Sequence, residues 1–395
     1  MNTIPVLYIS RMYFSSSRAN VHTVSKTAEA LSQDARISFS LISTDTSIRN
    51  PRNRTDYERA HNITTPFHIE TIWSPSGILQ HINGRLAFYA SALCDNIALA
   101  IYITRRRTPT SVLYVRDHML APCILFAHHV LGMKFFFEAH YVLPNKFGQY
   151  LTDVLARRAH GIVAITKALA RYYTRHNTRT TVSYCAASDI EQYEQITQST
   201  ANLRSTLGLP TESTILCYTG NIGKTGTGHD YGVSDIIMAL TYLPSHYFLL
   251  IVGKKATDSN ELEELARVHG VSNRVQILPW QPRNTIPLYV RASDILVIPT
   301  SGGLPGNSPT KIFEYLGSGR PIVAANTEAI TEILRHEHNA LIAKPEHPDT
   351  WAHEIERIAS DSVLQSHLTK NALQEARHFT WAQRAHTIVD LIFHS

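Results

Sequence analysis

Short runs of apolar and β-branched residues alternate with stretches of helical periodicity along almost the whole chain. Short buried strands that alternate with helices imply parallel sheets covered by helices on both faces. The pattern therefore predicts the α/β class. The predicted strands are Ile4–Ser10, Ile37–Ile42, Ser111–Arg116, Lys134–Glu138, Gly161–Ile165, Thr181–Cys185, Thr214–Thr219, Tyr247–Val252, Val275–Leu278, Ile295–Pro299 and Pro321–Ala325.

The alternation occurs in both halves of the 395-residue chain, which has the length of about two domains. A polar stretch around residues 190–212 marks the boundary. We predict doubly wound domains at residues 1–195 and 196–380, with a terminal helix at 381–395 that crosses back to the first domain. The polar residues 45–66 are interpreted as a long loop.

Charge and glycine content differ between the two halves. Residues 1–195 contain 21 Lys and Arg against 13 Asp and Glu, a net +8, whereas residues 196–395 contain 16 against 19, a net −3. Of the 18 glycines, 13 lie in the second half. This asymmetry predicts two domains with different roles. Nucleic-acid binding is disfavoured, because no recognised binding module accompanies the positive charge.

The chain shows no sign of export or of a membrane span. It lacks the basic start and long apolar stretch of a signal peptide. No uninterrupted apolar run reaches about 18 residues, and the nearest candidate, Met119–Phe137, is interpreted as a buried helix running into a strand. We expect a cytoplasmic protein. Four widely spaced cysteines without a CxxC pair argue against disulfides and structural zinc: Cys94, Cys123, Cys185 and Cys217.

The segment Ile295–Leu334 carries the strongest chemical signal. A predicted strand ends at Pro299, a loop rich in Gly, Ser and Pro follows, and a helix begins at Ser308–Lys311. A helix start offers unpaired N–H groups and the positive end of the dipole, and both favour anions. A lysine in this first turn opposes the dipole, so its place there is better explained if an anion binds. Glu314, one turn along, is placed to accept hydrogen bonds from sugar hydroxyls.

The pattern S-P-x-K-x-x-E-Y-L-x-x-G-x-P-I-V in this segment resembles the donor-binding segment of retaining GT-B glycosyltransferases of family 4. The resemblance implies an α/β fold with two doubly wound Rossmann-like domains that face each other across a cleft. Weaker resemblances to the same family follow in order along the chain: Asn20–Glu29, Tyr114–Arg116, Phe137–His140, Tyr218–Gly220, Leu249–Gly253, Ala292–Pro299 and Thr380–Arg384.

This resemblance implies a retaining transfer of a hexose from a nucleotide sugar, by default a UDP-sugar, to a glycan or lipid-linked acceptor. No metal or other cofactor is expected. The donor would bind the second domain and the acceptor the more basic first domain. Synthesis of a surface polysaccharide at the inner face of a membrane is the expected setting. The net +8 of residues 1–195 fits an acceptor domain that meets either an anionic acceptor or an anionic membrane surface.

Individual roles follow from the positions that match the family's motif. His140 and Lys311 are the predicted catalytic residues, with Lys311 neutralising the diphosphate and Glu314 contacting the ribose. The predicted donor-binding residues are Gly220, Asn221, Lys224, Asn307, Ser308, Pro309, Thr310, Lys311 and Glu314. The predicted acceptor-binding residues are Asn20, His22 and Arg116.

The chain departs from the family pattern at three donor positions. Gly306 stands where the first glutamate of an E-x7-E pattern is expected, Asn221 where an arginine is common, and Tyr231 where a lysine usually precedes Gly232. Either Lys224 substitutes for the missing basic residues from within the loop Gly223–Gly228, or the diphosphate is held more weakly.

Simpler interpretations of these residues remain open at this point. Lys311 and Glu314 could form a surface ion pair on a helix. His140 could be structural, Arg116 could belong to a loop ion pair, and Asn20 and His22 could cap a helix. At the level of function, the alternatives are a non-hydrolysing sugar-nucleotide epimerase and a catalytically silent nucleotide-sugar-binding scaffold.

Overall fold

The computed structural model describes residues 3–16, 19–76, 85–108, 110–143, 145–185, 190–222, 231–254, 259–300 and 310–394. The chain divides into two compact units, Met1–Cys185 with Trp381–Ser395, and Ala186–Thr380. The boundary predicted at residue 195 is therefore too late. The reason is that the helix Ile190–Glu194 packs within the second unit, against the helix Ile286–Ala292.

Within its described residues, the first unit contains a seven-stranded parallel sheet of order β3-β2-β1-β4-β5-β6-β7. Its strands are β1 (Ile4–Ile9), β2 (Ile37–Ser43), β3 (Ile69–Thr71), β4 (Val112–Val115), β5 (Lys134–Ala139), β6 (Gly161–Ala164) and β7 (Thr180–Val182). Its helices before residue 186 are α1 (Ala19–Ser32), α2 (Pro51–Ala60), α3 (Arg85–Arg106), α4 (Ala121–His129), α5 (Lys146–Arg158) and α6 (Lys167–Thr174).

The second unit, over the residues described, contains a six-stranded parallel sheet of order β10-β9-β8-β11-β12-β13. Its strands are β8 (Thr214–Thr219), β9 (Tyr247–Lys254), β10 (Val275–Pro279), β11 (Ile295–Ile298), β12 (Ile322–Ala325) and β13 (Leu341–Ala343). Its helices are α7 (Ile190–Glu194), α8 (Thr200–Leu207), α9 (Val233–Ala239), α10 (Ser259–Val268), α11 (Ile286–Ala292), α12 (Lys311–Leu316), α13 (Glu328–Thr331), α14 (Pro348–Ser360) and α15 (Ser362–Ala376).

The last helix, α16 (Trp381–Phe393), belongs to the first unit and packs on α1 and β6. Ile388 and Val389 are fully buried there, in one apolar cluster with Leu31. Burying a side chain of this size contributes about 1.5–3 kcal/mol. Helix α16 is therefore part of the core of the first unit.

Both sheets confirm the predicted α/β class with two doubly wound domains. In each sheet the strand order reverses between two central neighbours, β1 and β4 in the first unit and β8 and β11 in the second. Ligands of open α/β sheets bind at the carboxyl ends of the strands beside this point. Gly220 directly follows β8, and Lys311 lies on the connection that leaves β11. The fold thus brings two predicted donor residues to the place where such sheets bind ligands.

Two local predictions are wrong. Residues 45–66 are not a loop throughout, since they contain α2, whose first residue is Pro51 and whose cap Asn50 accepts a hydrogen bond from the backbone N–H of Arg52. Tyr57 is the one buried side chain of α2, so the helix has no apolar periodicity to detect.

The second wrong prediction is that Met119–Phe137 is the nearest candidate for a membrane span. Among the described residues, Leu86–Arg106 of α3 is long and apolar enough to cross a membrane by length and composition alone, and 33% of its most apolar window is buried. Asp95 and Asn96 interrupt this stretch, so it contains no long uninterrupted apolar run.

Candidate functional site

Lys311 is a buried lysine at the start of α12, with only 8% of its surface exposed. Its Nζ donates a hydrogen bond to Tyr218 Oη at 2.8 Å and lies 4.0 Å from the centroid of the Tyr218 ring. Over the described part of the chain, no carboxylate forms an ion pair with it. Burial lowers the pKa of Lys311 to about 7, and the charge of Glu314 offsets this only in part.

The backbone after β8 closes around this amine. Tyr218 Oη, which accepts the hydrogen bond from Lys311, donates one to the carbonyl oxygen of Asn221 at 2.5 Å. Gly220 has a φ of 127°, and a β-carbon there would lie 3.1 Å from Lys311 Nζ. A side chain at position 220 would therefore be strained and would crowd the amine.

A second glycine fixes the segment that carries Tyr231. Gly232 has a φ of 67°, and a β-carbon there would lie 2.0 Å from the carbonyl oxygen of Pro299, at the end of β11. Only glycine allows this contact between two backbone segments. The neighbouring Tyr231 ring lies with its centroid 5.6 Å from Lys311 Nζ, and its hydroxyl accepts a hydrogen bond from Asn221 Nδ2 at 3.4 Å. An aromatic ring thus occupies the position at which the family pattern has a lysine.

A buried tyrosine holds α12 over the end of β8. Tyr315 Oη accepts a hydrogen bond from the backbone N–H of Thr219 at 2.8 Å and lies 3.0 Å from the Thr219 hydroxyl. Both residues are buried, and burial raises the pKa of Tyr315 well above its usual value. This contact positions Lys311, one turn earlier on the same helix, beside Gly220.

Glu314 does not pair with Lys311, so the surface ion pair considered from the sequence is wrong. Its Oε1 instead accepts a hydrogen bond from Arg283 Nη2 at 2.6 Å, with both side chains partly exposed. Thr310 precedes α12, and its side chain forms no capping hydrogen bond. The remaining predicted donor residues lie outside the described residues: Lys224, Asn307, Ser308 and Pro309, together with Gly306.

The first unit contains a different charged cluster, at the end of β5. Glu138 is fully buried, forms an ion pair with Arg384 Nη2 at 2.8 Å, and accepts hydrogen bonds from Tyr114 Oη and His140 Nε2. Burial alone would raise the pKa of this carboxyl, but the charge of Arg384, the hydrogen bond from His140 and the charge of Arg116 lower it strongly. Glu138 is therefore an ionised carboxylate.

His140, the predicted catalytic histidine, is neutral at pH 7. Burial lowers its pKa to about 4, and the nearby charge of Arg116 adds to the shift. Because its Nε2–H donates to the Glu138 carboxylate, the Nδ1 atom of the neutral ring carries the free lone pair. Arg384 is further held by the carbonyl oxygens of Ser183 and Tyr184, at 2.6 and 3.1 Å.

The predicted acceptor residues lie around the start of α1. Arg116 follows β4 and donates to the backbone carbonyl of Asn20 at 3.5 Å, while the Asn20 side chain is exposed. His22 is 4% exposed, and its ring centroid lies 5.8 Å from that of His61 and 6.0 Å from that of Trp381. The structure thus brings Arg116 to Asn20, whereas His22 packs among aromatic rings.

Sequence reasoning gave no site role to several residues that the structure places here. Tyr218 and Arg384 lie in segments that resemble the family, but nothing in those segments reveals that they contact Lys311 and Glu138. Arg283, the partner of Glu314, lies in a segment without any signal. In the part of the chain that the structure describes, no three His, Cys, Asp or Glu side chains are grouped so that they could hold a metal ion.

The two doubly wound units define the class of protein, the GT-B fold. The Anabaena protein HepE, solved in complex with UDP, matches 99% of this chain and 100% of its own, with a TM-score of 0.76 and 17% identity. The lipopolysaccharide outer core galactosyltransferase WaaB matches 99% of both chains, with a TM-score of 0.70 and 14% identity. At these identities the likeness establishes the fold.

The second unit carries the more specific relationship. Residues 199–375 match the family Glycosyl transferases group 1. The D-inositol 3-phosphate glycosyltransferase of Xylanimonas cellulosilytica is 26% identical over 192 residues, which are 48% of this chain and 44% of that protein. The matched segment therefore spans less than half the length of this curated relative. The family match covers most of the second unit, which contains Lys311.

Proposed function

We propose that this protein is a glycosyltransferase that moves a hexose, with retention of configuration and without a metal ion, from a UDP-sugar to a glycan or lipid-linked acceptor. The match of residues 199–375 to a glycosyltransferase family supports the reaction class. The fold neighbour HepE, solved with UDP and with UDP-glucose, supports the choice of donor. WaaB, a lipopolysaccharide outer core galactosyltransferase by name, supports a cell-surface glycan or glycolipid as the acceptor. The proposed setting is the cytoplasmic face of the membrane.

The observation that carries this proposal is the buried Lys311 at the carboxyl edge of the second sheet. Departure of a nucleoside diphosphate develops negative charge, and a preorganised cation in a site with little water stabilises that charge. Lys311 is held in place by Tyr218, and its burial strengthens any electrostatic interaction it makes. A diphosphate would supply the negative partner that the described residues do not.

The acceptor hydroxyl would attack from the face that the diphosphate leaves, and the departing phosphate would take its proton. No covalent nucleophile is needed for this step. His140 contributes as a neutral ring whose Nδ1 accepts a hydrogen bond from a sugar hydroxyl, while Glu138 fixes the ring through Nε2. The positive first half of the chain would attract an anionic acceptor.

A thermal-shift screen with UDP-, GDP- and ADP-sugars, followed by detection of the glycosylated product, tests the proposal. A donor at about 100 times its dissociation constant should stabilise the protein by about 2.7 kcal/mol. Product should form in EDTA, and its anomeric configuration, read by NMR, should match that of the donor. Binding without transfer would indicate a silent scaffold, release of an epimerised sugar nucleotide would indicate an epimerase, and the absence of binding would contradict the proposal.

A further inference from the structure

Helix α3 of the first unit buries a mixed face and turns a largely apolar face outward. The buried side chains are Ser91, Ala92, Asp95, Asn96, Leu99 and Ile103. Five large apolar or aromatic side chains spaced three or four residues apart, hereafter the α3 stripe, are all about half or more exposed. They are Leu86 (87% exposed), Tyr89 (56%), Leu93 (61%), Ile97 (54%) and Ile101 (48%). The outer face of a surface helix in a water-soluble domain typically carries charged and polar residues instead.

The inward face is fixed by polar contacts, so this orientation is specified by the sequence. Asp95 is buried and accepts hydrogen bonds from Arg11 Nε at 2.8 Å and from Ser76 Oγ at 2.6 Å. Asn96 accepts one from the backbone N–H of Cys123 at 2.9 Å and donates one to the carbonyl of Met119, also at 2.9 Å. Turning the stripe inward would break these bonds and leave the buried partners unsatisfied.

The charged residues at the two ends of the α3 stripe are arginines, of which Arg106 lies 4.0 Å from Glu70 Oε1. Between Leu86 and Ile101 the one charged residue of the helix is Asp95, which is buried on the other face. The helix begins at Arg85 and ends with Arg105 and Arg106, followed by Arg107. An exposed apolar face bounded by arginines complements a bilayer that carries anionic headgroups.

The same charges disfavour a second copy of the chain as the occupant. Antiparallel pairing of two α3 helices would bring the Arg105 and Arg106 end of each copy to the Arg85 end of the other. Parallel pairing would bring Arg105 and Arg106 of the two copies side by side. Both arrangements place positive charges together at an apolar contact, which costs free energy.

The helix also has to stay on the unit rather than cross a bilayer. Its inner face packs against α4 and carries the ion pair between Asp95 and Arg11, whose side chains are 2% and 10% exposed. A spanning helix would have to carry this aspartate into the hydrocarbon, which is costly. An apolar face on a helix that keeps its protein contacts lies in the plane of the membrane interface.

We propose that the α3 stripe docks the first unit on an anionic lipid bilayer, with the stripe at the acyl boundary and the arginines among the headgroups. The α3 stripe is then the contact site for the anionic membrane surface that the net +8 of residues 1–195 suggests. The inference is independent of the donor chemistry, because none of its residues belongs to the donor site.

Sedimentation of the full chain with vesicles tests the proposal. The probes are phosphatidylcholine vesicles with about one third phosphatidylglycerol, and phosphatidylcholine vesicles alone, at low salt. The test variant is L93E/I97E, whose two positions are exposed. The control is V268E/V363E, which adds the same two charges at exposed positions of the second unit, 64% and 79% exposed.

We expect the wild type to sediment with the anionic vesicles, L93E/I97E to bind at least about tenfold more weakly, and the control to bind as the wild type does. Replacing Arg105 by Gln should weaken binding about fivefold. The melting temperature of each variant shows that it is folded.

The proposal is overturned if the wild type fails to bind anionic vesicles, or if V268E/V363E loses as much binding as L93E/I97E. It is also overturned if light scattering shows a dimer that L93E/I97E dissociates while vesicles bind neither form, since the α3 stripe would then be an interface between two copies.

Discussion

Two buried charges, Glu138 in the first unit and Lys311 in the second, lie at the carboxyl edges of their sheets and have opposite surroundings. Glu138 is compensated within the chain, by the guanidinium of Arg384 and by hydrogen bonds from Tyr114 and His140. Lys311 contacts the hydroxyl and ring of Tyr218, and none of the described carboxylates pairs with it. Their pKa values reflect this difference, although both groups are buried. The pKa of Glu138 is lowered, which favours the charged carboxylate, whereas the lowered pKa of Lys311 favours the neutral amine.

The comparison separates a charge that supports the fold from a charge that is available to a ligand. A buried ion pair with further hydrogen bonds is satisfied before any ligand arrives, and removal of one partner leaves the other uncompensated. A buried cation with no anionic partner lowers the stability of the free protein. The electrostatic stabilisation that it receives from a bound anion is correspondingly large. Strongly shifted pKa values in such a place are a common sign of a functional site.

The largest expected effect is on stability, from Arg384→Met. The substitution removes the cation that forms the ion pair with the fully buried Glu138, and breaking a buried pair in this way costs about 3–5 kcal/mol. The free energy of unfolding from urea denaturation measures it.

The matched control is Arg335→Met, which removes a more exposed ion pair with Glu375 at 3.2 Å and should cost at most about 1 kcal/mol. Equal losses in the two variants would mean that the Glu138 cluster does not stabilise the first unit more than a surface pair does.

The next effect is on activity, from Lys311→Met. Removing one preorganised stabiliser of the leaving group should lower the turnover number by about 10²–10³-fold. Stability should hold or rise, because Tyr218 keeps its hydrogen bond to the Asn221 carbonyl and no charge is left buried. Turnover and urea denaturation of the same variant measure both.

A variant that keeps near-normal turnover would remove Lys311 from the proposed mechanism. A variant that unfolds as readily as Arg384→Met would instead make Lys311 a structural residue, and the contrast between the two charges would disappear.

The strands of both central sheets could be predicted from the sequence because their apolar runs are buried on both faces. The edge strands β3 and β13 were missed, since each has three residues and none of the three in β3 is fully buried. Helix α2 was missed because packing of a single tyrosine, Tyr57, rather than an apolar stripe, holds it in place.

The candidate site could be predicted from the sequence only where one segment contains a recognisable motif. Lys311 and Glu314 belong to such a motif, but their partners Tyr218 and Arg283 come from other strands and loops. The pairing of Glu138 with Arg384 joins residues far apart in the chain. Such contacts depend on the fold as a whole, so no local spacing encodes them.

A smaller effect is expected on the pH dependence of stability. The pKa of Lys311 is about 7 in the folded protein and about 10.4 in an unfolded chain. Between these values the unfolded chain binds more protons, so the free energy of unfolding rises with pH by about 1 kcal/mol per pH unit. The stability advantage of Lys311→Met over the wild type should therefore be largest at and below pH 7 and shrink towards pH 10.

Denaturation of both proteins across this range measures the difference. A difference that stays constant with pH would show that Lys311 is not deprotonated on folding, and would remove the contrast with Glu138.

The smallest and most specific signal is proton uptake when UDP-glucose binds. With a pKa of about 7, about half of the Lys311 side chains are neutral at pH 7. A diphosphate beside Nζ favours the charged form, so binding should take up about half a proton. UDP-glucose is a suitable ligand because its diphosphate, esterified at both ends, does not itself titrate near neutral pH.

Calorimetric titration in two buffers of different ionisation enthalpy gives the number of protons, which should rise towards one at pH 8 and fall towards zero below pH 6. Lys311→Met provides the control, since it should show no uptake wherever residual binding is measurable. Uptake of the same size in the variant would place the titrating group elsewhere, and the absence of uptake in the wild type would mean that the diphosphate does not contact Lys311.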